Sequence, residues 1–137
     1  MAFDPSRDYP LGTRRPDLVT TPAGTPLGDV TLDALRLGRL GAGEIRATPE
    51  TLRLQAEVAR AGGRAQLGEN LERAAELAAV PDELILDVYT ALRPRRATGA
   101  ELDEWAARLD GHGAAKTATF VREAAAAYAQ RGLLADG

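Results

Sequence analysis

A chain of 137 residues is a single-domain length, able to bury roughly two thirds of its unfolded surface, and its net charge of −3 excludes a nucleic-acid binder, which needs a clustered positive field. With no cysteine, disulfides, thiolate chemistry and cysteine-based metal sites are excluded together. Hydrophobic content is 45% but aromatics supply only 4% and alanine dominates, which favours closely packed helices over a β-sandwich. No run approaches the ~18 apolar residues needed to span a membrane, and the opening MAFDPSRDYP lacks a signal-peptide core. A soluble, cytosolic, all-α protein is expected.

Residues 1–30 read as an irregular, extended, proline-rich arm. Five of the eight prolines lie there (Pro5, Pro10, Pro16, Pro22 and Pro26), spaced too closely for a helix, and each biases its predecessor towards extended backbone. The arm carries Tyr9, Leu11, Leu18, Val19 and Leu27, which must lie either back on the domain or on a partner. Residues 31–137 read as one compact helical domain of about five helices. Thr31 caps a short helix over Leu32, Leu35 and Leu37 that Gly38 ends. Thr48 followed by Pro49 starts the next, with Leu52, Leu54, Val58 and Ala59 apolar and Gly62-Gly63 closing it.

Two helices then follow across a proline within 66–94. In the first, Leu67, Leu71, Ala74 and Ala78 share one face of a 3.6-residue period, opposite Glu69, Glu72, Arg73 and Glu76. Pro81 opens the second, Asp82 and Glu83 suit its first turn, and Leu84, Ile85, Val88, Tyr89 and Leu92 form its apolar stripe before Pro94 stops it. Thr98 and Glu101 form a capping box ahead of Leu102, Trp105, Ala106 and Leu109, the cleanest amphipathic pattern in the chain. After Gly111-His112-Gly113, a last helix runs over about 114–131 with Phe120, Val121, Ala124, Ala125 and Tyr128 inward.

Chemistry-bearing patterns are few. Gly41-Ala42-Gly43 has Arg46 where a dinucleotide fingerprint needs its third glycine, and no strand precedes it. The one histidine, His112, stands in Asp110-Gly111-His112-Gly113-Ala114-Ala115, one residue short of a D-x-H-x-x-G cobalt-ligand signature, and reads as a loop residue; without cysteine it cannot build the usual zinc set. Glu69, Glu72 and Glu76 read as a solvated face rather than paired acids. Arg93, Arg95 and Arg96 form the one basic cluster, serving either a helix dipole or an interfacial ion pair. No catalytic, cofactor-binding or metal-ligating residue is assigned. The partner-interface candidates are Tyr9, Leu11, Leu18, Arg93, Arg95 and Arg96.

The run Asn70-Leu71-Glu72-Arg73-Ala74-Ala75-Glu76-Leu77, then Val80-Pro81-Asp82-Glu83, Ile85-Leu86 and Tyr89-Thr90-Ala91-Leu92-Arg93-Pro94, resembles the small (gamma) subunit of adenosylcobalamin-dependent diol and glycerol dehydratases. Asp8-Tyr9-Pro10-Leu11, Asp29-Val30-Thr31-Leu32, the stretch from Thr48-Pro49 to Gln55-Ala56, and Phe120-Val121-Arg122-Glu123-Ala124 extend the resemblance over most of residues 8–134. It implies a non-catalytic subunit that braces a large catalytic subunit, with a medium subunit beside it, in a dimer of heterotrimers. The enzyme so implied converts propane-1,2-diol or glycerol to an aldehyde and water by a radical route. Its adenosylcobalamin sits between large and medium subunits and is not bound by this chain alone. On that resemblance the arm is expected to lie on a partner. The family's longer members carry an amphipathic N-terminal extension, whereas seven residues precede Asp8 here, so a free cytosolic enzyme is expected ahead of a microcompartment-bound one. Composition and periodicity alone also accommodate a free-standing helical adaptor without enzymatic role.

Overall fold

A computed structural model describes residues 2–137, so Met1 of the expected arm lies outside it. The described residues form α-helices and 3-10 turns with no strand, only an isolated bridge between Thr20 and Pro26. The all-α reading holds. The chain divides into two compact units, 1–78 and 79–137, the division falling just before Pro81.

The first unit starts with single-turn helices α1 (Pro5–Asp8) and α2 (Leu11–Arg14), then 3-10 turns at Pro16–Leu18 and Leu27–Asp29. Extended backbone is thus interrupted by turns where the reading expected none. The reason lies in where the prolines fall. Pro5 occupies the first turn of α1, Pro10 caps α2 and Pro16 opens its 3-10 turn, positions where a missing N–H costs nothing. Asp4 completes the first of these by accepting from Ser6 N at 3.0 Å.

Asp8 is the polar centre of this segment and is only 4% exposed. Its carboxylate accepts from Arg7 Nε at 3.1 Å, from Asp4 N at 2.9 Å and from Arg15 Nη1 at 3.2 Å. The Arg7 hydrogen bond, followed by that from Asp4, lowers the Asp8 pKa to about 2. A folded value below the unfolded ~3.9 contributes stability above that value and loses it as pH falls through the folded one. Thermal melts of wild type and Asp8→Asn should therefore differ at pH 5 and converge as pH falls from about 4 towards 2. A gap that stays constant over that range would show that the ionised carboxylate is not what holds the segment.

Helix α3 (Leu32–Arg36) starts at Thr31, whose Oγ1 accepts from Ala34 N at 3.1 Å, and a left-handed Gly38 follows it. Between α3 and the next helix, Glu44 ties two loops by accepting from Thr25 Oγ1 at 2.7 Å and Gly41 N at 3.3 Å. Its pKa is lowered first by the Thr25 hydroxyl. The Gly41-Ala42-Gly43 stretch therefore leads into a braced 3-10 turn, Ala42–Glu44.

Helices α4 (Pro49–Ala61) and α5 (Ala65–Leu77) form a hairpin. Thr48 Oγ1 caps α4 by accepting from Thr51 N at 3.2 Å. Gly63 turns the corner at φ +76°, and Arg64 N donates back to Ala59 O at 2.8 Å, a turn that a side chain at the glycine would strain. The buried positions are Ala56 and Ala59 on α4 and Gly68 and Ala75 on α5. This corrects the expected face of α5. Leu67 and Ala78 are exposed, because the helices approach through their smallest residues and the leucines flank the seam.

The second unit holds α6 (Asp82–Ala91), α7 (Gly99–Gly111) and α8 (Ala115–Arg131). Pro81 stands just outside α6 as its cap, and Leu84 and Val88 are the buried pair on that helix. The capping box at α7 forms as read: Glu101 N donates to Thr98 Oγ1 at 3.2 Å and Thr98 N to Glu101 Oε2 at 2.8 Å. Leu102, Ala106 and Leu109 are buried against α8, whose Ala118 and Val121 are likewise fully buried. The α7–α8 turn repeats the geometry of the first hairpin, with Gly113 at φ +76° and Ala114 N donating to Leu109 O at 3.0 Å. Tyr89 at 58% and Phe120 at 42% exposure depart from their expected inward positions. In α8 the seam is set by Ala114, Thr117, Ala118 and Val121, one step round from Phe120.

Candidate partner interface

The polar groups singled out from sequence are dispersed over the two units. Among the described residues no group of three or more His, Cys, Asp or Glu is placed to hold a metal ion. His112 is exposed as the residue capping the end of α7. The acid cluster on α5 is met from α4 by one guanidinium: Arg60 Nη2 reaches Glu69 Oε1 at 3.0 Å and Nη1 reaches Glu72 Oε1 at 2.6 Å. These carboxylates are counter-charged across the hairpin, an arrangement that fixes two helices together and offers no acid–base pair.

What the surface does offer is apolar area. Val30, Leu32, Leu35, Leu37 and Ile45, all within residues 30–45, are exposed, Leu32 at 62% and Leu37 at 70%. A five-residue helix that buries only Ala34 cannot cover three leucines by itself. Val30 and Ile45 also line an open groove of about 330 Å³ together with Val19 and Leu27. A second groove of about 540 Å³ runs between the start of the chain and the α4–α5 hairpin, lined by Pro5, Tyr9, Val58, Leu67 and Leu71 among others.

The residues singled out from sequence fall into three groups. Tyr9 is 53% exposed on the rim of the larger groove. Leu11, at 2%, is a core residue of the first unit and presents no surface, while Leu18 is half-buried. Leu11 turns inward because it opens α2 beside the Asp8 cluster, a local turn that proline spacing alone does not reveal. Arg93, Arg95 and Arg96 are all exposed just beyond α6. Sequence reasoning missed Leu86, 66% exposed and about half a turn round α6 from the buried Leu84 and Val88. The signal was present: Leu86 is an apolar residue on the side of α6 that otherwise carries Asp82, Asp87 and Thr90.

A family model described as the dehydratase small subunit matches residues 5–135. The chain belongs to the dehydratase small-subunit family. Among its relatives, the propanediol dehydratase small subunit of Citrobacter freundii is 50% identical over 125 residues, which span 90% of this chain and 73% of the relative. The protein of the same description from Salmonella typhimurium is 49% identical over 125 residues, spanning 90% and 72%. A dehydratase small subunit is one chain of a larger enzyme, and the match takes in the Asp8 cluster, the exposed 30–45 segment and both helical hairpins. No helix among the described residues is long and apolar enough to cross a membrane.

Proposed function

We propose that this dehydratase small subunit is the non-catalytic brace of a propane-1,2-diol dehydratase, seated on a large catalytic subunit that works with a medium subunit. The observation that carries this reading is the exposure of Val30, Leu32, Leu35, Leu37 and Ile45 in one short segment. Apolar side chains so concentrated in one short segment are costly to leave in water and suit a surface for another chain. The names of the relatives support a propanediol as substrate ahead of glycerol, and loss of water from propane-1,2-diol leaves an aldehyde.

Adenosylcobalamin, when bound, supplies the radical that takes a substrate hydrogen. The residues of this chain do not fit it. An imidazole ligand for cobalt would have to come from His112, which lines neither groove and caps an exposed helix end. The grooves are lined largely by aliphatic side chains, with Tyr9, Gln55 and Arg64 in the larger and Glu44 and Arg46 in the smaller, and neither presents an imidazole. In this reading the coenzyme and the substrate are held by the other subunits, and this chain contributes surface.

Co-expression of large and medium subunits with and without this chain, followed by purification and an aldehyde assay, tests the proposal. Without it, yield of assembled enzyme and diol turnover should both fall, and the isolated chain should turn over no diol. Full assembly and activity in its absence would sink the subunit reading and leave a helical adaptor in its place.

A further inference from the structure

The turn that follows α6 is built more firmly than a surface loop of its length requires. Arg95 adopts φ +63°, the left-handed region that a residue with a side chain occupies only when its surroundings impose it. Three contacts impose it here. Arg95 N donates to Leu133 O at 2.7 Å, Ala135 N donates to Ala97 O at 2.9 Å, and the Tyr128 hydroxyl donates to Leu92 O at 2.6 Å. Glycine would take this backbone without strain, so what the arginine adds to the position is its guanidinium.

That guanidinium and its neighbours are left for something outside the chain. Among the described residues Arg93, Arg95 and Arg96 make no side-chain hydrogen bond or ion pair, whereas Arg7, Arg15, Arg60 and Arg122 each pair with a carboxylate. Three unpaired positive charges thus stand together on a chain whose net charge is −3. On the preceding helix α6, Leu86 and Tyr89 are 66% and 58% exposed and stand three residues apart on one face, with Arg93 in the turn that follows. Tyrosine and arginine around an apolar centre are the composition of a binding hot spot.

We infer that this face is the anchor by which the chain docks on the large dehydratase subunit. Leu86 and Tyr89 enter an apolar pocket whose rim carries carboxylates, and Arg93, Arg95 and Arg96 pair with that rim. The inference rests on the subunit reading and adds the contact surface and the chemistry of the receiving site. A second copy of this chain is a poor occupant, because two-fold pairing of the same face would set six arginines against one another.

The test uses the full chain and a purified complex of the large and medium subunits, with affinity measured at low and high salt. Leu86→Ser combined with Tyr89→Ser should weaken binding by about thirtyfold, the loss expected on truncating a hot spot. Arg95→Gly should melt at or above the wild-type temperature yet bind about tenfold more weakly, a combination that a purely structural role for Arg95 does not produce. Arg93→Gln, Arg95→Gly and Arg96→Gln together should flatten the salt dependence. Wild-type affinity in all these variants, while the wild type binds, would overturn the inference and leave the subunit reading intact. Loss of self-association instead of partner binding would assign the face to a second copy and overturn it equally. If the wild-type chain binds no partner complex at all, both readings fall.

Discussion

Val88→Asp is expected to destabilise the chain by several kcal/mol, whereas Leu86→Asp, two residues away, should be nearly neutral in the isolated protein. Val88 is 5% exposed and lies one turn beyond Leu84, also 5%, so a carboxylate there loses its water without gaining a partner. Leu86 is 66% exposed and a carboxylate at that position stays hydrated. Against a total stability of roughly 5–15 kcal/mol, the first substitution consumes much of the margin and the second almost none. Urea melts of both variants followed by circular dichroism make the comparison. Equal midpoints would mean that α6 does not turn Val88 inward, and the exposed strip proposed as a docking anchor would lose its basis as well.

The parts of this fold that could be read from sequence are those decided within a few residues. Thr31, Thr48 and Thr98 each cap the helix they were expected to cap, because a hydroxyl three residues from an unpaired N–H finds it whatever the rest of the chain does. Gly63 and Gly113 end their helices for a similarly local reason, the low cost of a left-handed residue at that position. Which face of a helix turns inward is not local. Leu67 lost to Gly68, and Phe120 stays exposed while Val121 is buried as read, because the closeness of the neighbouring helix decides the seam and hydrophobicity does not. Leu32, Leu35 and Leu37 mislead for a further reason: an apolar residue left on the surface has the same sequence signature as one buried in the core.

The candidate interface was legible to a similar depth. Clustering of Arg93, Arg95 and Arg96 is visible in the sequence, since it needs only counting. The left-handed backbone of Arg95 is not, because no glycine or asparagine signals it and the contacts that impose it come from Tyr128, Leu133 and Ala135, 33 to 40 positions further along the chain. Leu11 shows the opposite failure. Its place among the partner-interface candidates followed from the family resemblance, the sequence itself leaving it either on the domain or on a partner, and the Asp8 carboxylate, gathering Arg7 and Arg15 around one buried point, folds the segment back on itself.

Gly68→Ala should lower stability although alanine is the better helix former by ~1 kcal/mol. A methyl group built on Gly68 would stand 2.9 Å from Arg60 Cγ and 3.2 Å from the Ala56 carbonyl oxygen of α4. Neither neighbour yields easily. The Arg60 guanidinium is held by Glu69 and Glu72, and the carbonyl belongs to the α4 backbone. Overpacking of a tight seam costs about 1–3 kcal/mol, so the clash outweighs the propensity gain and the net loss is about 1 kcal/mol, rising for Gly68→Val as more atoms enter the seam. The same argument fixes the result of a double mutant. Arg60→Ala removes the Cγ that the methyl meets first and leaves only the 3.2 Å approach to the carbonyl, so Gly68→Ala should cost less in that background than in wild type. Thermal melts of the four proteins give the coupling directly. A higher melting temperature for the single Gly68→Ala variant would mean that helix propensity governs this position and that α4 and α5 are not held together by the absence of a side chain at Gly68.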